Sequence, residues 1–201
     1  QPPYPEFRLF ATREERLPVS AVREDGTDVL PTLSAIDRVY APHGKPLPYE
    51  GVVEPHSYIL DLGDLAGYQH PVLVLFGWSD FATVDARYAA SQAGVSVLPV
   101  NLSVKDAAGE WVTAIEDIGE PGGWPKPQTV DLKGLFKTND YHVRITSNIA
   151  LYYDRATVID YDPDLPVRVF PMEADRAELV YGGFAQMYRP DGRKPDIFLH
   201  E

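Results

Sequence analysis

The chain has 201 residues, with 18 Lys+Arg against 30 Asp+Glu and a net charge of −12. An apolar fraction of 44% is that of a folded domain, and the missing basic surplus argues against a nucleic-acid partner. With no cysteine, a disulfide scaffold, a thiolate metal site and a thiol nucleophile are all excluded.

Residues 1–50 are dense in proline and charge and read as an extended N-terminal arm. Within it, Phe7 to Ala11 and Val19 to Val22 are candidate strands. Asp28 is a candidate N-cap for a helix carrying Val29, Leu30, Leu33 and Ile36, with Pro31 in its first turn. The opening Gln-Pro-Pro-Tyr-Pro shows no signal-peptide pattern, and both ends read as cuts in a longer polypeptide or as the ordered limits of one.

From residue 55 onward the hydrophobic period is two. His56 to Leu62 alternates, and Pro71 to Trp78 is a nearly continuous apolar run, as in a strand covered on both faces. The longest apolar run, within Pro71 to Trp78, falls far short of the roughly 20 residues that a bilayer span needs. Val84 to Gln92 is a weakly amphipathic helix candidate. Further strands are expected at Val95 to Val104, Trp111 to Ile115, Gln128 to Leu132, Tyr141 to Thr146, Ile149 to Ile159, Val167 to Met172, Glu178 to Tyr181 and Ala185 to Tyr188. Short strands separated by turn signals, without long helices between them, predict an all-β sandwich or barrel, and the expected fold is an antiparallel sandwich spanning residues 51–201 with a C-terminal extension.

Chemical signatures are sparse. The five histidines lack ligand spacing, and no nucleophile elbow, phosphate loop or His-Glu-x-x-His motif is present. The alternating carboxylates Asp160, Asp162 and Asp164 suggest calcium, yet Leu165 and Pro171 break the EF-hand pattern, so a solvated acidic loop is the simpler reading. Nothing selects a glycosidase pair among Glu54, Asp80, Glu116 and Asp154. Trp78, Trp111, Trp124, Tyr152 and Tyr153 could form a sugar-stacking platform or fill the core, with Trp124 in a Pro/Gly loop the best exposed candidate. Arg144, Asn148, Asp154 and Arg155 are either cross-strand surface pairs or one rim of a binding site.

Several segments carry a resemblance. They are Val53-Glu-Pro-His-Ser-Tyr-Ile-Leu-Asp-Leu-Gly63, Leu75-Phe-Gly-Trp-Ser-Asp80, Trp111-Val-Thr-Ala-Ile-Glu-Asp-Ile-Gly119 and Arg144-Ile-Thr-Ser-Asn-Ile-Ala-Leu-Tyr-Tyr-Asp-Arg155. Leu179-Val-Tyr-Gly-Gly-Phe-Ala185 and Pro190-Asp-Gly-Arg-Lys-Pro-Asp-Ile-Phe198 complete the set. In this order they resemble the C-terminal region of large bacterial proteins with FG-GAP repeats and an ASPIC/UnbV domain, the cartilage-acidic-protein-like group. The FG-GAP propeller and the ASPIC segment themselves are absent from this chain. The resemblance implies a periplasmic or secreted β-rich module used for adhesion or assembly, and the fold analogy is a galactose-binding-like jelly roll. It brings no catalytic residue and no cofactor.

The expectation is therefore a non-catalytic structural or protein-binding subunit of a larger assembly. A carbohydrate-binding module and a hydrolase with unrecognised carboxylates are the alternatives. The partner-binding candidates are Trp124, Tyr152, Tyr153, Arg144 and Asp154.

Overall fold

Alternation in the sequence becomes two antiparallel sheets facing each other across one core. The computed structural model describes residues 9–80, 82–189, 192 and 195–199. The chain divides into two units, Gln1–Leu165 and Pro166–Glu201.

The first unit holds β1 (Glu15–Arg16), β2 (Ser20–Arg23), β3 (Val52–Asp61), β4 (Pro71–Ser79), α1 (Val84–Gln92), β5 (Asn101–Lys105), β6 (Trp111–Ile115), β7 (Lys126–Asp131), β8 (His142–Ile149) and β9 (Leu151–Asp160). One sheet has the order β1-β9-β4-β7 and the other β2-β3-β8-β5-β6. Their inner faces supply Leu73, Leu75, Tyr153 and Val158 on one side, and Tyr58, Leu60, Leu102, Val143 and Ile145 on the other, to a single core. Burial of such side chains stabilises by roughly 1.5–3 kcal/mol each, and it fixes register, because a one-residue slip would turn every inner side chain outward.

The N-terminal residues differ from an extended arm. β1 pairs with β9, and β2 pairs with β3. Ala21, Val29, Leu33 and Ala41 lie in the core. The Ala41 N–H donates to the Tyr153 carbonyl at 2.8 Å, and the Glu54 N–H donates to that of Lys45 at 2.8 Å. Proline density thus marks a segment lacking long strands, not one lacking contacts. The helix expected from Asp28 shrinks to one 3-10 turn, Leu30–Leu33. Ser34 bridges Arg155, and the chain beyond is held by Asp154, so tertiary pairing ends the helix early.

Other boundaries follow the pattern closely. α1 occupies the expected residues, with the Thr83 Oγ1 accepting from the Ala86 N–H at its start. β6 occupies its expected residues too. Of Val95 to Val104, only Asn101 onward is strand. The preceding residues are held by the Asn148 side chain, which accepts from the Leu98 N–H (2.6 Å) and donates to the Ser96 carbonyl (2.9 Å). The strand expected at Phe7 to Ala11 lies partly outside the described residues, and residues 9–11 are irregular.

In the second unit, β10 (Gln186–Tyr188) pairs antiparallel with β11 (Ile197–Leu199). The strands expected at Val167 to Met172 and Glu178 to Tyr181 are absent, and both segments are irregular and exposed. Alternation alone made no strand there because no neighbouring strand supplies hydrogen bonds.

Candidate functional site

The aromatic residues separate into three environments. Tyr153 is a core residue, with its hydroxyl donating to Gln128 Oε1 at 3.3 Å and its ring edge-on to Tyr58 at 6.2 Å. Burial pushes its phenol well above the ordinary range. Tyr152 stacks flat on the buried Trp78 (4.3 Å between centroids, 8° between planes) and receives the edges of Tyr40 and His43. Trp124 stands apart at 63% exposure, and no aromatic contact among the described residues joins it to the others.

The polar set also separates. Asp154 is the extra residue of a β-bulge, since Arg155 pairs with Phe76 and Tyr153 with Gly77. The bulge turns a buried carboxylate toward the N-terminal residues, where it accepts from the Arg38 N–H (3.1 Å) and the Asp37 N–H (3.4 Å). Arg38 has φ 66°, a left-handed conformation unusual for a side-chain-bearing residue, and these bonds hold it there. Desolvation raises the Asp154 carboxyl above its ordinary value. Asn148 is likewise buried and clips residues 96–98. Asp154 and Asn148 are therefore architectural, while Arg144 and Arg155 are half-exposed, Arg155 already being paired with Glu15.

The outer face of the five-stranded sheet, where Arg144 stands, is built by register. Arg144 on β8 lies between Ile59 on β3 and Ser103 on β5. Its guanidinium sits 5.0 Å from the centre of the Trp111 ring on β6, with the Lys105 ammonium 5.5 Å from the same ring. Ser57 and Thr146 share a hydroxyl–hydroxyl bond of 2.8 Å on the same sheet. Along one edge, Lys105 Nζ meets Asp140 Oδ2 at 2.9 Å, and Asp140 Oδ1 meets His142 Nδ1 at 2.6 Å. The Lys105 bond, foremost, holds the Asp140 carboxyl down at about 2. His142 also faces Asp61 at 3.8 Å. A cleft of about 570 Å³ opens beside these groups, lined by Asp61, Asp64, Asp140, Tyr141 and His142.

The acidic run is engaged with backbone. Asp160 accepts from the N–H groups of His70 (2.7 Å) and Gln69 (3.1 Å). Asp162 accepts from the Asp164 N–H (3.0 Å) and faces Arg13 at 3.7 Å. Among the described residues, no three His, Asp or Glu side chains converge as a metal site.

Two features had no signal in the one-dimensional pattern. His56 is 2% exposed, and its Nδ1–H donates to the Glu54 carbonyl at 3.3 Å, while Nε2 has no partner among the described residues. Burial lowers its pKa to about 4. The second unit exposes Val169, Phe170, Met172, Leu179, Tyr181 and Phe184, with Phe184 at 97%. Their apolar character is plain in the sequence, but their failure to find a core is not. Among the described residues no helix is long and apolar enough to cross a membrane. No protein-family model, no curated protein and no solved structure matches the chain.

Proposed function

We propose that the chain is a non-catalytic, extracytoplasmic β-sandwich module that binds protein as a subunit of a larger assembly. One observation carries this reading: the second unit presents a run of large apolar side chains to solvent, from Val169 to Phe184. Large apolar side chains exposed in such number within one stretch of chain support contact with another macromolecule. The placement outside the cytoplasm and the assembly role rest on the resemblance to the FG-GAP and ASPIC/UnbV group. A jelly-roll topology is the fold we propose within the sandwich. The order β1-β9-β4-β7 opposite β3-β8-β5-β6 supports it, with the chain crossing between sheets at most connections, β5 and β6 forming a hairpin within one sheet and β2 added at one edge.

Affinity purification of the tagged chain from its native source tests the function. A stoichiometric protein partner, lost when Leu179 and Phe184 are both changed to Asp, is the expected result. Recovery of the chain alone as a monomer contradicts it.

Carbohydrate binding is the second reading, favoured by the exposed indole of Trp124 in its Gly/Pro loop. A glycan array gives binding that Trp124→Ala removes if this reading holds. An empty array disposes of it.

A further inference from the structure

The sandwich has four sheet edges, and three are blunted. β1 is two residues long. β7 carries Lys126 and Pro127. β2 is covered by the turn that bridges Val22 to Asp28. Short strands, edge lysines and prolines, and covering loops are the usual defences against strand addition. β6 has none of these three, although a bulge at Ala114 interrupts its pairing with β5, with Leu102 opposite Ile115 and Ser103 opposite Thr113. Its sequence Trp111-Val-Thr-Ala-Ile115 contains neither charge nor proline, and β5 is its one neighbour among the described residues.

Each side of this edge offers a different chemistry. On one side, Val104, Val112, Ala114 and Leu135 line a groove of about 250 Å³, with Lys137 at its rim. Val112 is 49% exposed there. Asp106 also borders the groove, but its Oδ1 already accepts from the N–H groups of Ala108 (2.8 Å) and Glu110 (2.9 Å). On the other side, Arg144 leans from β8 across β5 to the Trp111 ring, and its Nε has no hydrogen-bond partner among the described residues. Lys137 donates to the Gly134 carbonyl at 3.3 Å. Neither cation has a carboxylate partner among the described residues, although the chain as a whole carries a charge of −12.

We infer that β6 is a strand-addition site for an extended segment of a partner protein in which apolar and acidic residues alternate. Backbone pairing to β6 supplies affinity, and the period of two sorts the side chains. Apolar residues enter the Val112 groove, and carboxylates on the opposite face meet the Arg144 guanidinium. The proposal rests on the protein-binding reading and adds a second contact to it. Its failure would leave the purification test on Leu179 and Phe184 untouched, because the residues differ.

The test uses the full chain and dye-labelled hexapeptides read by fluorescence anisotropy near physiological salt. A peptide alternating Val and Glu is expected to bind saturably. One alternating Val and Lys should bind about tenfold more weakly, and a Val/Glu peptide N-methylated on the residues facing β6 should not bind. Val112→Lys and Arg144→Gln should each weaken binding about fivefold or more without lowering the melting temperature. If Val112→Lys fails to fold, Arg144→Gln and the N-methylated peptide still decide. Equal binding of the Val/Glu and Val/Lys peptides, indifference to N-methylation, or no binding at 1 mM peptide would overturn the proposal. So would a dimer of the chain that Val112→Lys converts to monomer, since a second copy would then occupy the edge.

Discussion

His56 and Asp154 show how single buried polar groups set the behaviour of this molecule. The imidazole of His56 is held at about 4 in the folded chain, against 6.5 for an ordinary histidine, because burial disfavours its charged form. The unfolded chain therefore takes up the proton first, and stability falls as pH drops from about 6.5 towards 4. That shift corresponds to roughly 3 kcal/mol for one group. Urea denaturation between pH 7.5 and 4 should show the loss, and His56→Phe should flatten the curve across this window. An unchanged slope in the variant would assign the loss elsewhere. Asp154 accepts two backbone N–H groups of the 37–38 turn. Asp154→Ala strands both donors and should cost about 2 kcal/mol. Asp154→Asn keeps an acceptor, and it replaces a carboxyl whose charge burial already disfavours, so thermal melts should place it between the wild type and Asp154→Ala.

Elements were legible where local and tertiary demands agreed. β6 and α1 fall on the residues their patterns indicate, because alternation and a Thr cap suffice there. The helix expected from Asp28 failed because its pattern competed with pairing to β9, which no local window contains. The Asp154 bulge was invisible for the same reason: it exists only in the register between β4 and β9. Gly77 is part of that register. A Cβ there would stand 2.3 Å from the Tyr152 carbonyl oxygen and 2.9 Å from the Tyr153 Cα, both backbone atoms that cannot turn aside. Gly77→Ala should therefore destabilise by about 3 kcal/mol, at the upper end for overpacking. At Gly67 an added Cβ meets nothing within 4 Å, and Gly67→Ala should stay within about 0.5 kcal/mol. Calorimetry of the two variants side by side separates a steric cause from a general intolerance of glycine replacement.

At the scale of the whole molecule, a well-packed sandwich is joined in sequence to a unit rich in exposed apolar residues. The all-β class was readable from strand spacing. Of the candidate binding residues, Trp124 is exposed and Arg144 half-exposed, and the neighbours of Arg144 were not readable, because an outer face is assembled from β3, β8, β5 and β6 by register alone. Trp111 gained its place beside Arg144 that way, while Tyr153 and Asp154 turned inward. In the second unit the alternation of Val167 to Met172 reads as strand, yet the residues stay irregular for want of a pairing surface. The central claim is that a protein partner provides contact for this unit. Site-specific incorporation of a photo-crosslinking amino acid at Phe184, in the tagged chain expressed in its native source, tests that claim most directly. A discrete adduct of higher mass should appear on irradiation and be lost in the Leu179→Asp background. Irradiation that leaves the chain at its own mass would contradict the proposed contact.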